Sequence, residues 1–225
     1  MHIKIKQGIN EAHAAAKRGD IVVIVDVIRA STTYVVALSC GVEKIIPCSS
    51  LNDLEKKRKF YKNALRAGER ECIKIAGYDL GSSPTEMIKS EINGATILSS
   101  TTNGSKMAVA SSSSPLVVMG SLCNVSAVSK FIANKNMDIT IICAGRLGKP
   151  VIEDLIGAKM ISHLINGGTL NDFEPSIDKI WDICTQSESY NKLKDTDLLE
   201  DYDYCMSIDS YAIVPQFVGD GFVKG

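Results

Sequence analysis

Asp26 closes an apolar run, Ile21 to Val25, and is followed by Val27-Ile28-Arg29-Ala30-Ser31-Thr32-Thr33. A carboxylate at a strand end, next to a guanidinium and a run of hydroxyls, is equipped to hold a divalent cation and the anion that the cation neutralises. The same residues admit a plainer arrangement, in which Asp26 pairs with Arg29 and Ser31 or Thr32 caps a helix. A second segment repeats the design: Ala95 to Leu98 breaks into Ser99-Ser100-Thr101-Thr102-Asn103-Gly104-Ser105. Its Asn-Gly pair favours a tight turn and can aim successive amides at a phosphate. In an α/β sheet, hydroxyl-rich strand-to-helix turns put side chains and free amides at the carboxyl ends of strands, where ligands bind. The two turns are expected to face one pocket, on condition that their strands run parallel.

Other segments carry polar residues of the right kind. Gly68-Glu69-Arg70 offers an acid beside a base, and Asp79 stands between Gly77 and Gly81, ahead of a helix start at Ser82-Ser83-Pro84. Cys143-Ala144-Gly145-Arg146 leads to Glu153-Asp154 in the first turn of a helical pattern, where acids are favourable without any function and can also ligate a metal. Gly145 to Lys149 is too short for a nucleotide-phosphate loop, and Pro150 occupies the Ser/Thr position. Ile28 stands where an aspartyl-phosphate phosphatase of the haloacid-dehalogenase type needs its second Asp. No Ser-His-Asp order, H-E-x-x-H or G-x-S-x-G is present. His163 falls in an apolar helical pattern and reads as structural. The acidic stretch Asp195 to Asp203 lacks the features of a calcium loop and reads as a solvated face.

The elements that must position these residues alternate between strand-length apolar runs and helical patterns. Strands are expected at Ile3 to Gln7, Ile21 to Val25, Lys44 to Ile46, Cys72 to Ala76, Thr96 to Ser99, Leu116 to Met119 and Asp138 to Cys143. Helices are expected at Ile9 to Arg18, Thr33 to Ser39, Leu51 to Arg66, Lys106 to Ser111, Val125 to Ala133, Val151 to Ile165 and Ser176 to Ser187. This order predicts a three-layer α/β/α domain spanning 1–225, with a mixed, largely parallel sheet and two similar strand-turn-helix halves. From about residue 170 an acidic, aromatic, helical section is expected to pack on the sheet. Charged residues make up 23% of the 225, and the formal net charge of -1 leaves no basic surplus to attract nucleic acid or an anionic membrane. Seven cysteines without C-x-x-C spacing fit a reducing cytoplasm and small buried side chains, Cys48, Cys72 and Cys143 among them. No apolar run reaches membrane-spanning length. A homo-oligomer is left open.

Taken together, Val25 to Thr33, Gly68-Glu69-Arg70, Gly77 to Pro84, Thr101 to Ser105, Gly120-Ser121-Leu122-Cys123-Asn124, Cys143-Ala144-Gly145 and Glu153-Asp154 resemble, in order, the 2-phosphosulfolactate phosphatase family. Ser82 departs from the family's usual Asn, and Ser105 from its frequent Thr. The resemblance implies a magnesium-dependent phosphatase converting 2-phospho-3-sulfolactate to 3-sulfolactate and phosphate, a step towards coenzyme M. On that reading Asp26, Arg29, Glu69 and Asp79 are the catalytic candidates, and Asp26, Glu153 and Asp154 the metal-ligand candidates. Ser31, Thr32, Thr33, Arg70, Thr101, Thr102, Asn103, Gly104, Ser105, Ser121 and Asn124 are the candidate substrate contacts, with Arg146 a further anion-binding residue.

Overall fold

Strand β2 (Ile21–Val25) is apolar at every position, a composition that suits only a strand covered on both faces. In the computed structural model, which describes residues 1–225, all five of its residues are buried. It pairs in parallel with β7 (Val117–Gly120) on one side and β8 (Ile139–Cys143) on the other, and β8 pairs in parallel with β1 (Ile3–Gln7). Val25 is in register with both Gly120 and Cys143, so the residues that follow the three strands emerge at one edge.

A second parallel group contains β3 (Lys44–Pro47), β6 (Thr96–Ser100) and β4 (Leu65–Arg70), with the two-residue β5 (Ile73–Lys74) antiparallel at its outer side. A C-terminal hairpin, β9 (Pro215–Val218) and β10 (Gly221–Lys224), joins the groups into one ten-stranded sheet, β9 lying antiparallel to β7 and β10 antiparallel to β3. Alternate residues of β2 point to opposite faces, as the strand period requires. Val22 and Ile24 enter a core shared with α1 (Ile9–Arg18), α2 (Ala30–Ser39), α4 (Pro84–Lys89) and α5 (Gly104–Ala110). Ile21, Val23 and Val25 enter the opposite core, shared with α6 (Val125–Ala133), α7 (Ile152–Ile165), α8 (Ile177–Cys184), α9 (Glu188–Asp195) and α10 (Glu200–Met206). Helix α3 (Leu51–Arg58) covers a small cluster of Ile46, Cys48, Leu54 and Leu98. The architecture is thus the expected three-layer α/β/α fold with a mixed, mostly parallel sheet. No helix is long and apolar enough to cross a membrane.

Three local expectations are corrected. The helix begun at Leu51 ends at Arg58, the strand expected at Cys72 to Ala76 is only the two-residue β5, and the main strand of this region is Leu65–Arg70. The charged side chains of Leu-Arg-Ala-Gly-Glu-Arg disguise that strand, and its partial exposure near the sheet's outer side tolerates them. The C-terminal section does not stay helical, because the chain returns as the central β9–β10 hairpin. Its signal is the alternating Pro215-Gln216-Phe217-Val218 and Phe222-Val223-Lys224 around Gly219-Asp220-Gly221. Gly221 is required by close approach: a Cβ there would lie 2.8 Å from the Ile45 carbonyl oxygen. Finally, α2 and α5 start at Ala30 and Gly104, so the hydroxyls expected before those helices fall largely within their first turns.

Candidate active site

The two hydroxyl turns do meet, but not by the expected route. The hairpin reverses the sense of the sheet, so β2 and β6 run in opposite senses, five strand steps apart. A twist of roughly 20–25° per step accumulates to about 100° or more, turning the two strands well away from antiparallel. Helix α5 then crosses from the end of β6 to pack on α1, β2 and β3. Gly104 opens this helix, and a Cβ there would lie 2.7 Å from the Ala30 Cβ and 2.9 Å from Asp26 Oδ2, so only glycine lets the turns touch.

Where they touch there is a cleft of about 550 Å³, part of it open solvent. Its walls are the first turn (Asp26, Arg29), the second turn (Thr101, Thr102, Asn103), the β4–β5 hairpin (Glu69, Glu71, Cys72), the loop after β8 (Gly145, Arg146), Asp154 and Ser189. Asp26 is almost wholly buried; one of its oxygens accepts from the Ala30 amide at 3.2 Å. Burial pushes its carboxyl up to about 7, the negative charges of Glu69 and Glu153 add to that rise, and the amides of Ala30 and Gly104 oppose it. Asp154 is buried beside it, one oxygen accepting from the Val27 amide at 2.8 Å and the other from the Gly145 amide at 2.8 Å. It therefore ties the turn after β2 to the loop after β8. Burial holds its carboxyl well above the usual range, and the charges of Asp26 and Glu153 push in the same direction.

Glu153 departs from its expected place. It is fully buried behind the cleft wall, and neither of its oxygens makes a hydrogen bond of good geometry. Burial raises its carboxyl above the usual range, with the nearby hydroxyls of Ser189 and Ser187 offsetting part of the rise. Glu69 lies in the wall as a strut: Oε1 accepts from the Thr102 amide and hydroxyl, both at 2.7 Å, and Oε2 accepts from the Cys72 amide at 2.9 Å. Asn103 donates to the Gly145 carbonyl at 2.6 Å. Thr101, whose Oγ1 accepts from the Ser105 amide at 2.9 Å, also lines the cleft.

Several candidate contacts lie outside the cleft. Ser31 Oγ accepts from the Asp26 amide at 3.0 Å and donates to the Ile24 carbonyl; Thr32 and Thr33 donate to the carbonyls of Val27 and Arg29. All three are buried within the first turn of α2 and hold its shape, so they do not reach a ligand. Ser105 does the same in α5. Arg70 turns to the carbonyls of Glu69 and Ser100 and leaves the cleft. Ser121 and Asn124 form a buried cap, and Asn124 also donates to the Ile213 carbonyl at 2.8 Å. Asp79 is on the surface, accepting from the Arg66 amide at 2.8 Å. Arg29 is buried and paired with Asp201 at 2.5 Å, not with Asp26. Asp201, expected on a solvated face, is buried. Its neighbours Tyr202, Cys205 and Met206 are buried with it, and that apolar spacing was the available signal. Cys72, expected as a core residue, is half-buried in the cleft wall, 3.9 Å from Arg146.

No three His, Cys, Asp or Glu side chains converge closely enough to encage a metal by themselves. Magnesium needs less, since it keeps several waters and is held through one or two carboxylates plus substrate oxygens. Charge also bears on the question. Four carboxylates line the cleft (Asp26, Glu69, Glu71, Asp154) against two guanidiniums (Arg29, Arg146), and each guanidinium is already paired with an acid, Arg29 with Asp201 and Arg146 with Glu71 at 2.9 Å. A cation, or protons, must offset that excess before a polyanion can enter.

Comparison with known proteins agrees along almost the whole chain. Residues 7–220 match the family model described as 2-phosphosulpholactate phosphatase. Proteins carrying the name probable 2-phosphosulfolactate phosphatase include one from Caldanaerobacter subterraneus that is 33% identical, covering 90% of this chain and 89% of its own. Others are from Thermotoga petrophila (32%, 89% and 90%) and Clostridium beijerinckii (32%, 89% and 90%). A matching family model over every element that builds the cleft, with relatives above 30% identity over about nine-tenths of both chains, means that this chain belongs to the 2-phosphosulfolactate phosphatase family of phosphoric monoester hydrolases.

Proposed function

We propose that the protein hydrolyses 2-phospho-3-sulfolactate to 3-sulfolactate and phosphate with magnesium, in the route to coenzyme M. The observation that carries this reading is the cleft itself, where a buried acid (Asp26), two guanidiniums and a threonine hydroxyl converge at strand ends beside an excess of carboxylates. The substrate bears a phosphate, a carboxylate and a sulfonate, so recognition calls for directed donors as well as charge. Arg29 and Arg146 hold the acid groups, and the Thr101 hydroxyl donates to them. Asp26 is the principal magnesium ligand in this reading. Asp154 and the unpartnered Glu153 stand behind it as buried acids that can give up a proton when a cation binds. The bound ion supplies charge neutralisation at the phosphoryl oxygens and acidifies water for attack on phosphorus. Glu69 keeps the second turn and the β4–β5 hairpin at a fixed spacing, which sets how the substrate is oriented.

The test is phosphate release from 2-phospho-3-sulfolactate and a panel of small phosphorylated acids, before and after exhaustive chelation. Release that vanishes with chelation and returns with magnesium is expected. Full turnover in the chelated protein rules out the metal; tight binding without release leaves a metabolite-binding protein in place of an enzyme.

A further inference from the structure

The orientation of Arg29 is not set by its own turn. One arm, Nη1, donates to Asp201 Oδ2 at 2.5 Å, and the other, Nη2, donates to the Cys72 carbonyl at 2.8 Å. Asp201 is 1% exposed and comes from α10, far along the chain. Its second oxygen accepts from the Ser83 hydroxyl at 2.6 Å and the Thr85 amide at 3.1 Å, at the start of α4. A buried ion pair is not sufficiently explained by stability, because well-packed apolar residues of similar volume often serve as well or better. Direction is the better explanation. A guanidinium carries five N–H donors in a rigid fork. Two are engaged here, and the side chain still lines the cleft that holds Asp26.

We propose that Asp201 is a positioning residue for the phosphatase reaction: clamped to α4, it locks the Arg29 fork so that the remaining donors face the substrate's acid groups. The proposal rests on reading the cleft as a site for a phosphorylated acid. It gives α10, which has no residue in the cleft, a part in the active site. It also predicts a sign that simple charge arguments do not. Removing a negative charge close to an anion site should tighten anion binding on electrostatic grounds, whereas releasing the fork should weaken it.

The experiment uses Asp201→Asn, which keeps the size and an acceptor for Ser83 and Thr85. kcat and KM are measured on the substrate that the unaltered protein hydrolyses, together with binding of inorganic phosphate by calorimetry and thermal unfolding. We expect kcat/KM to fall on the order of 10²-fold, chiefly through KM, with weaker phosphate binding and a folded protein. In an Arg29→Lys background the same change should alter kcat/KM by less than about threefold, because residues acting as a unit are not additive. Phosphate binding that tightens or stays the same overturns the proposal, as does an equal loss in both backgrounds. If Asp201→Asn does not fold, Asp201→Glu, which keeps the charge and displaces it by one methylene, gives the same comparison. An unaltered protein that binds phosphate but releases none refutes the enzymatic reading alone, and phosphate binding then remains the measure of Asp201. One that does neither overturns both.

Discussion

The two hydroxyl turns are built alike and used differently. In each, a serine inside the first helical turn accepts a backbone N–H from the strand end and returns its own O–H to a carbonyl: Ser31 with the Asp26 amide and Ile24, Ser105 with the Thr101 amide and carbonyl. The first turn brings ionic groups to the cleft, Asp26 and Arg29. The second brings neutral ones, Thr101 and Asn103, and is pinned from outside by Glu69. The shared serines are therefore scaffolding, and the groups that reach the cleft are ones the two turns do not have in common.

The sharpest way to break that comparison is to remove the charge from the first turn. Asp26→Asn should lower turnover by about 10²-fold or more, as expected when a group acting on the developing charge is lost. It should at the same time stabilise the metal-free protein above neutral pH. Burial holds the Asp26 carboxyl near 7 when folded, against an ordinary value of 3.8. Between those values the folded state keeps a proton that the unfolded state has lost, so stability falls as pH rises through that window. The melting temperature of the chelated variant should consequently exceed that of the parent more at pH 8 than at pH 5. A variant that melts early at pH 8 yet turns over normally makes Asp26 structural.

The next effect is expected at the strut of the second turn. Glu69→Gln keeps the shape, but its NH2 cannot accept as the carboxylate oxygen does, so at least one charge-assisted hydrogen bond is lost and the others weakened; at about 1.5–3 kcal/mol each, a total loss of about 2–3 kcal/mol is expected. Activity should fall about tenfold, because the Thr102 turn and the β4–β5 hairpin lose their spacing. Undiminished activity with lowered stability would separate the strut from catalysis.

Ser31→Ala and Ser105→Ala should behave as a matched pair. Each leaves a buried amide without its side-chain acceptor, at about 1–3 kcal/mol of stability, while kcat/KM per folded molecule changes less than about threefold. A large activity loss in only one of them, at equal stability, would return that hydroxyl to the substrate site. Asp79→Asn should do least: the residue is exposed and holds only Arg66, so both activity and melting temperature should stay close to the parent's.

Much of this arrangement could be read before any coordinates, and for definite reasons. The run Ile21 to Val25, apolar on both faces, can only be a central strand, and helices α1 and α6 follow from their apolar periodicity to the residue. The position of Asp26 at the end of that strand follows at once. Strand β4 did not show itself, because a partly exposed strand near the sheet's outer side carries charged residues that mask its pattern.

Local order is legible in the residues alone: which segments are strands and helices, where the polar turns interrupt them, and the ordered motifs that place the chain in its family. Which hydroxyls point at a ligand was decided by tertiary structure, because a Ser or Thr one residue further into a helix meets its own backbone instead of the cleft. The pairing of Arg29 with Asp201 was decided there too, across 172 residues that no local pattern can span. So was the meeting of the two turns, which depends on sheet twist, on a hairpin inserted between the halves, and on the missing Cβ of Gly104. Burial did the rest: packing around Asp26 pushes its carboxyl up to about 7, whereas Asp79 is left on the surface beside Arg66.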